Sequence, residues 1–269
     1  MGVIVLRCSA CLDLPIKERV LERRQIWHMA PKGLNSDTIY ILSRRRELSG
    51  AIFFIFWYTT MLSKPNPAST TLYSAPQELE SHAVRFIMAH KSIEREVLEL
   101  KFDEIPEEVL ELNPCQTLPT LFDRGMVLYD LSVIMEYLDE RFPFPPLLPV
   151  DPIEKAEKRL LVYRFTRAEG CWYELVDTIL NGNKKDAASA RKTLNGNLIE
   201  LLPLFSHKPY FKSDMMTLVD VCIAPILWRL DLLGITLTDK AKPIISYANR
   251  LFEKEGFHDS LTFAEKDFK

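Results

Sequence analysis

The sequence predicts a small mixed α/β domain followed by an all-α domain. Between residues 70 and 142, short β-prone runs alternate with helical patterns in the order βαβαββα. After a proline-rich stretch, every periodic pattern is helical. We therefore expect an N-terminal extension (1–60), a first domain (61–145) and an all-helical second domain (146–269).

The elements of the first domain follow from hydrophobic spacing and turn residues. The predicted strands and helices are, in order, strand Thr70–Tyr73, a helix with Leu79, Ala83, Phe86, Ile87 and His90 on one face, strand Arg95–Leu100, helix Glu107–Leu112, strand Leu118–Phe122, strand Met126–Tyr129 and helix Leu131–Phe142. Two strands joined through a helix are expected to be parallel, whereas a tight hairpin pairs its strands antiparallel. This is a thioredoxin-like plan. Pro119 lies at a strand start or bulge, since it has no N–H for the sheet, and a cis peptide bond is one way to accommodate it.

A linker and four helical patterns make up the rest. Residues 142–152 contain five prolines, which exclude a helix or a central strand. Helical patterns then follow at Ile153–Leu180, Ala187–Phe205, Leu218–Leu233 and, as the last, Ala241–Phe252. Thr217 and Asp220 form a capping box before the third pattern, which is apolar on nearly all faces and therefore central.

Composition and charge argue against several classes of function. The 269 residues are 47% hydrophobic with a net charge of −3, which is typical of a globular protein. Residues 1–60 carry nine Lys/Arg and five Asp/Glu, a net +4, so the remainder is −7. That acidity argues against direct nucleic-acid recognition and against anionic membranes. Five irregularly spaced cysteines, with a single CxxC at Cys8–Cys11, favour a reducing cytoplasm and predict neither a disulfide framework nor a metal site.

The first sixty residues do not share the periodicity of the body, and three interpretations stay open. Residues 44–62, basic and then apolar, resemble a late signal peptide or a membrane anchor. Against this, the apolar run starts about fifty residues into the chain, has no small-residue cleavage site and is shorter than the roughly 20 residues that a spanning helix needs. The run could instead add a buried element to the core. We favour the third interpretation, in which residues 1–60 are disordered or precede a true start at Met61.

The body resembles the glutathione S-transferase superfamily. The resemblance rests on Asn113-Pro114, Leu118-Pro119-Thr120-Leu121, the Tyr137–Phe142 stretch and Thr217–Asp220, and covers about residues 69–265. It implies a transferase-like fold and a cis bond before Pro119. It also points to Tyr73, Ser74 or Ser81 as the position of a catalytic hydroxyl, and to Asp130 followed by a serine as the glutathione-binding pair. Here Leu131 replaces that serine, and a leucine offers a carboxylate no hydrogen bond. We therefore expect no catalytic residue and no cofactor.

A narrower resemblance, to the bacterial stringent starvation protein A family, rests on longer stretches. They are Ile134–Pro143, Pro145–Leu147, Lys208–Phe211, Leu227–Leu230 and Ser260–Thr262. It implies a non-enzymatic cytoplasmic regulator that binds RNA polymerase and sigma factor, as a homodimer or paralogue heterodimer, and alters promoter use under starvation or stress. It implies no sequence-specific contact with nucleic acid and no membrane. The alternative is a glutathione-dependent transferase or thiol-handling enzyme of the same fold.

The linker supplies the candidate partner-binding residues, Pro143, Phe144, Pro145 and Pro146. In the starvation protein family the resemblance implies a Pro-His-Pro surface required for polymerase regulation. Phe144 stands in place of the histidine and cannot carry a proton, but it can dock in an apolar pocket while the prolines limit the entropic cost. The alternative is a structural elbow in which Phe144 packs between the two domains.

Overall fold

The computed structural model describes residues 70–101, 105–237 and 241–268. This part of the chain contains four strands and eleven helices. In chain order they are β1 (Thr71–Ser74), α1 (Leu79–His90), β2 (Glu96–Glu99), α2 (Glu107–Leu112), β3 (Thr120–Asp123), β4 (Met126–Leu128), α3 (Leu131–Arg141), α4 (Pro152–Thr166), α5 (Trp172–Asn181), α6 (Lys184–Glu200), α7 (Leu202–His207), α8 (Leu218–Trp228), α9 (Lys242–Phe252), α10 (Glu255–Ser260) and α11 (Phe263–Lys266).

The four strands form one mixed sheet in the order β2-β1-β3-β4. Strand β1 is parallel to β2, with Leu72 opposite Val97, and antiparallel to β3, with Leu72 opposite Leu121. Strands β3 and β4 form the antiparallel hairpin, whose turn contains Gly125 at φ +81. The prediction of a parallel pair plus a hairpin is confirmed, and with it the thioredoxin-like plan followed by an all-α part.

Helix α8 is the centre of the helical part. Every residue from Leu218 to Trp228 is buried, as the apolar pattern predicts. The helix packs against α4 and also against α1, and Phe86 and Ile87 of α1 belong to the same buried cluster as Leu72 of β1 and Leu121 of β3. The mixed sheet and the helices therefore share a continuous core, and the described residues form one compact unit.

Helix ends were the weakest part of the prediction. The pattern over 153–180 is two helices, α4 and α5, because the chain turns at Gly170, whose φ of +67 favours glycine. The second pattern likewise divides into α6 and α7, and α8 stops at Trp228 rather than Leu233. The helix ending at Phe252 is not the last, since α10 and α11 follow. A 3.6-residue period continues through a break whenever both helices bury the same side, so periodicity alone does not detect these ends.

Three expectations concern residues 1–69, which lie outside the described residues: the anchor at 44–62, the start at Met61 and the Cys8–Cys11 pair. Within the described part of the chain, none of the helices has the length and apolar character needed to cross a membrane.

Candidate functional site

The linker between α3 and α4 presents an exposed proline-rich apex. Residues Pro143, Phe144, Pro145 and Pro146 are all exposed, and 81% of Phe144 is accessible to solvent. The elbow alternative expects Phe144 to be packed between the domains, and this side chain is not. The Phe144–Pro145 peptide bond is cis, which no feature of the sequence predicts.

The two residues that follow the apex are part of the core. Leu147 and Leu148 are both buried. The carbonyl of Leu147 accepts a hydrogen bond of 3.0 Å from the backbone N–H of Leu218, the first residue of α8. The exposed apex is therefore followed at once by a segment fixed to the central helix.

A buried ion pair forms hydrogen bonds with the backbone of the linker, and sequence reasoning missed it. The ammonium of Lys91 lies 2.7 Å from Asp139 Oδ1 and donates to the carbonyls of Phe142 and Pro145, both at 2.7 Å. The carboxylate of Asp139 accepts the backbone N–H groups of Leu147 (2.9 Å) and Leu148 (3.0 Å). Asp139 belongs to the stretch that carries the family resemblance, so a signal existed for it. Lys91 had no signal beyond its place after a helix.

The candidate catalytic hydroxyls lie at the end of β1 (Tyr73 and Ser74) and in the first turn of α1 (Ser81), and all are buried. Ser81, the third residue of α1, donates to Glu78 Oε2 at 2.6 Å and accepts from the N–H of Ala75 at 3.0 Å. Ser74 accepts from the Arg85 guanidinium, and Tyr73 is also buried. A catalytic hydroxyl must reach a substrate thiol, and Ser81 is instead committed to holding the turn before the helix.

Glu78, which caps α1, has a perturbed acidity. Its carboxylate accepts from the N–H of Ser81 at 3.2 Å, the usual role of an N-cap side chain. Burial, followed by the nearby charge of Glu80, raises the pKa of Glu78 to about 7. The carboxyl group therefore titrates near neutral pH.

The acid expected to bind glutathione has other partners. Asp130 is the N-cap of α3 and accepts the N–H groups of Ser132 (2.9 Å) and Val133 (3.1 Å). Its second oxygen pairs at 3.3 Å with Arg167, which also forms an ion pair with Glu80 at the start of α1. Arg167 therefore bridges the start of α1 and the start of α3, and it occupies the acid that the family resemblance assigns to the glutathione-binding pair.

Two predicted structural features are present in the geometry. The Leu118–Pro119 peptide bond is cis, immediately before β3. At the start of α8, the Asp220 carboxylate accepts from the backbone N–H of Thr217 at 2.7 Å and from its hydroxyl at 2.9 Å. Asp220 also accepts from the Tyr247 hydroxyl at 2.6 Å, so the cap ties α8 to α9.

A buried charge cluster joins the last described helix to the first. Glu265 in α11 accepts from Arg85 of α1 at 2.7 and 2.8 Å, and it also pairs with Arg229 at the end of α8. Arg229 Nη1 lies 2.9 Å from His82 Nδ1, and because a guanidinium only donates, that ring nitrogen is the acceptor. Burial, helped by the two arginines, lowers the pKa of His82 well below its ordinary value, which agrees with a neutral ring.

The described residues include no grouping of three or more His, Cys, Asp or Glu side chains suited to a metal ion. Cys115 is exposed, whereas Cys171 and Cys222 are buried.

Comparison with known proteins identifies the domains of this fold. The model of the glutathione S-transferase N-terminal domain matches residues 81–141, and that of the C-terminal domain matches 152–255. A solved structure of glutathione transferase Omega 3C from Trametes versicolor aligns with a TM-score of 0.64 at 20% identity, covering 77% of this chain and 94% of that one. The transferase-like fold expected from the sequence is therefore confirmed.

Closer relatives share most of the chain. A stringent starvation protein A homolog of Coxiella burnetii is 44% identical over 74% of this chain and 94% of its own length. That of Haemophilus influenzae is 40% identical over 71% of this chain and 89% of its own. At this identity and coverage, and with both transferase domain models matched, the chain belongs to the stringent starvation protein A family within the glutathione S-transferase superfamily.

Proposed function

We propose that this protein is a non-enzymatic transcription regulator that serves in starvation or stress. It binds the RNA polymerase holoenzyme, including sigma factor, and alters promoter use without reading bases. The relatives named for stringent starvation support the general role. The observation that carries the contact is the apex Pro143–Pro146, where Phe144 is 81% exposed although it is a large aromatic residue.

The chemistry of the apex suits protein recognition. An exposed aromatic ring loses water-accessible area only when a partner covers it, and aromatic anchors dominate many interfaces. The prolines restrict the backbone before binding, which lowers the entropy that docking must remove. The acidic body, net −7 over residues 61–269, favours encounter with a basic protein surface.

A dimer is part of the proposal. Val133 and Glu136 are three residues apart on α3, and Arg159 and Tyr163 are four apart on α4, so each pair shares a helix face. Arg159 donates to Glu136 at 2.8 Å, which joins the two faces. Val133 and Tyr163 are each about half exposed on the resulting surface. We expect a second copy, or a paralogue, to cover these apolar side chains.

The transferase alternative has less support from the geometry. Ser81 is buried and hydrogen-bonded at both ends of its hydroxyl, and Asp130 is occupied by the helix cap and Arg167. Leu131 offers no polar atom where a serine is expected, and its side chain is buried in the core.

The test is capture of polymerase from a lysate of the source organism with the full-length tagged chain. We expect the core subunits and sigma factor on the wild type, and much less of both when Pro143, Phe144 and Pro145 are replaced by Ala. The same preparations are passed over glutathione resin and assayed for thiol transfer. Absence of polymerase from the wild-type capture contradicts the regulator, and robust turnover that is lost in Ser81→Ala establishes the enzyme instead.

A further inference from the structure

We propose that Lys91 and Asp139 are positioning residues that order the linker and hold Phe144 in its binding-ready position. This inference rests on the proposed function, because it assigns the device that prepares the same surface. It extends that function from the exposed apex to two buried charged side chains, which would act on polymerase binding only through the apex.

The linker cannot order itself by backbone hydrogen bonds. Among residues 143–149, prolines at 143, 145, 146 and 149 have no N–H, so only Phe144, Leu147 and Leu148 have one to donate. Two of these three, the N–H groups of Leu147 and Leu148, go to Asp139. A short loop of this composition needs partners outside itself, and the buried carboxylate is that partner.

Lys91 completes the arrangement on the other side of the apex. Its ammonium has three N–H groups and three acceptors, all at 2.7 Å: the Phe142 carbonyl, the Pro145 carbonyl and the Asp139 carboxylate. The two carbonyls flank Phe144 on either side along the chain. The pair therefore holds residues 142 and 145 through the cation and 147 and 148 through the anion, while the side chains of the apex stay exposed.

Charge and burial explain how the Lys91–Asp139 ion pair restricts the linker to one arrangement. The Lys91 side chain is inaccessible to solvent, and that of Asp139 is 8% exposed. A buried lysine and carboxylate are costly to remove from water unless their hydrogen bonds are all satisfied, which here they are. Because each ion depends on the other and on the linker backbone, the loop has one favourable arrangement rather than several. An anchor that is ordered before docking loses less entropy on binding.

The experiment compares Lys91→Met with the matched variant Lys158→Met in the full-length protein. Lys158 is an equally buried lysine in α4 that donates to the Lys212 carbonyl at 2.9 Å, away from the apex. We expect Lys91→Met to bind the holoenzyme roughly 10-fold more weakly, since the freed loop must be ordered on docking, and Lys158→Met to bind as the wild type does. Asp139→Asn is the second variant, in case Lys91→Met fails to fold.

A double-mutant cycle with Phe144→Ala separates positioning from a general structural role. If the pair acts through Phe144, the loss caused by Lys91→Met shrinks or vanishes when Phe144 is already absent, whereas independent effects add. Hydrogen exchange of the Leu147 and Leu148 amides is the readout without polymerase. We expect at least 10-fold faster exchange in Asp139→Asn and Lys91→Met.

Each outcome has one meaning. Exchange at the wild-type rate in both variants overturns the ordering role, whatever polymerase does. Wild-type affinity of Lys91→Met, together with weak binding of Phe144→Ala, overturns the inference and leaves the proposed function standing. Equal losses for Lys91→Met and Lys158→Met also overturn it. Wild-type protein that binds no polymerase overturns the proposed function, and the link from the pair to binding with it.

Discussion

Truncating Phe144 to Ala should remove binding energy without harming the fold. A phenylalanine side chain carries about 200 Å² of surface, so the 81% that is exposed corresponds to about 160 Å² available to a partner. At about 25 cal/mol per Å², full burial of that area is worth at most about 4 kcal/mol, and anchor residues commonly cost about 2 kcal/mol or more on truncation. We therefore expect affinity for the holoenzyme to fall between about 30-fold and 1000-fold.

The same arithmetic predicts a small effect on stability. Only about 40 Å² of the ring is covered in the free protein, which corresponds to about 1 kcal/mol of unfolding free energy. A thermal melt should therefore shift by only a few degrees. Binding is measured by titrating polymerase against the immobilised full-length protein, and stability by circular dichroism.

Phe263→Ala is the matched control, because Phe263 in α11 is 85% exposed and lies outside the linker. It should leave affinity unchanged. Equal binding by wild type and Phe144→Ala would refute the contact assignment. A large fall in melting temperature for Phe144→Ala would instead revive the elbow interpretation.

Four further predictions concern the apex and other parts of the structure. Phe144→His should keep part of the affinity, measured in the same titration, if the shape of the apex matters more than its apolarity. Glu265→Gln should lower the free energy of unfolding in urea by about 3–5 kcal/mol, because it leaves the buried guanidinium groups of Arg85 and Arg229 without a counter-ion; a loss under 1 kcal/mol would contradict the cluster's role. For Glu78, the folded pKa of about 7 exceeds the unfolded value of 4.5, so the folded state binds the proton more tightly and the free energy of unfolding falls as pH rises through this window. The wild type should therefore lose stability relative to Glu78→Gln between about pH 4.5 and 7, and parallel pH profiles of the two proteins would be inconsistent with the raised pKa. Val133→Asp should shift the protein from dimer to monomer in sedimentation, whereas exposed Ile199→Asp on α6 should not.

The fold was predictable because its signals are local. Alternating strands and helices, the proline-rich linker and the apolar α8 are all written in short stretches of sequence, and the mixed sheet follows from the connection rules. The breaks at Gly170 and after Glu200 were not predictable, because the hydrophobic period runs through them.

The candidate site was only half predictable. The exposed apex could be expected, since Phe144 lies among prolines outside both hydrophobic patterns. The ion pair that supports it could not, because Lys91 and Asp139 are 48 positions apart. The family resemblance covers Asp139, but nothing in the sequence connects it with Lys91. The same holds for Arg85 and Glu265, which are 180 positions apart. Charge pairing over such separations leaves no periodic trace in one sequence.

The pairing of Arg85 with Glu265 also bears on the order in which the protein can be completed on the ribosome. The guanidinium belongs to the first described helix and its carboxylate to the last, so 180 residues must be added after Arg85 before the counter-ion exists. At about 5–20 residues per second that is an interval of about 10–40 seconds. During it the nascent strands and α1 lack the charge that neutralises their buried cation. The first half of the molecule is therefore synthesised first but acquires its final stability last. A chain that ends before Thr262 never gains the counter-ion, and it should therefore stay sensitive to protease after synthesis has ended.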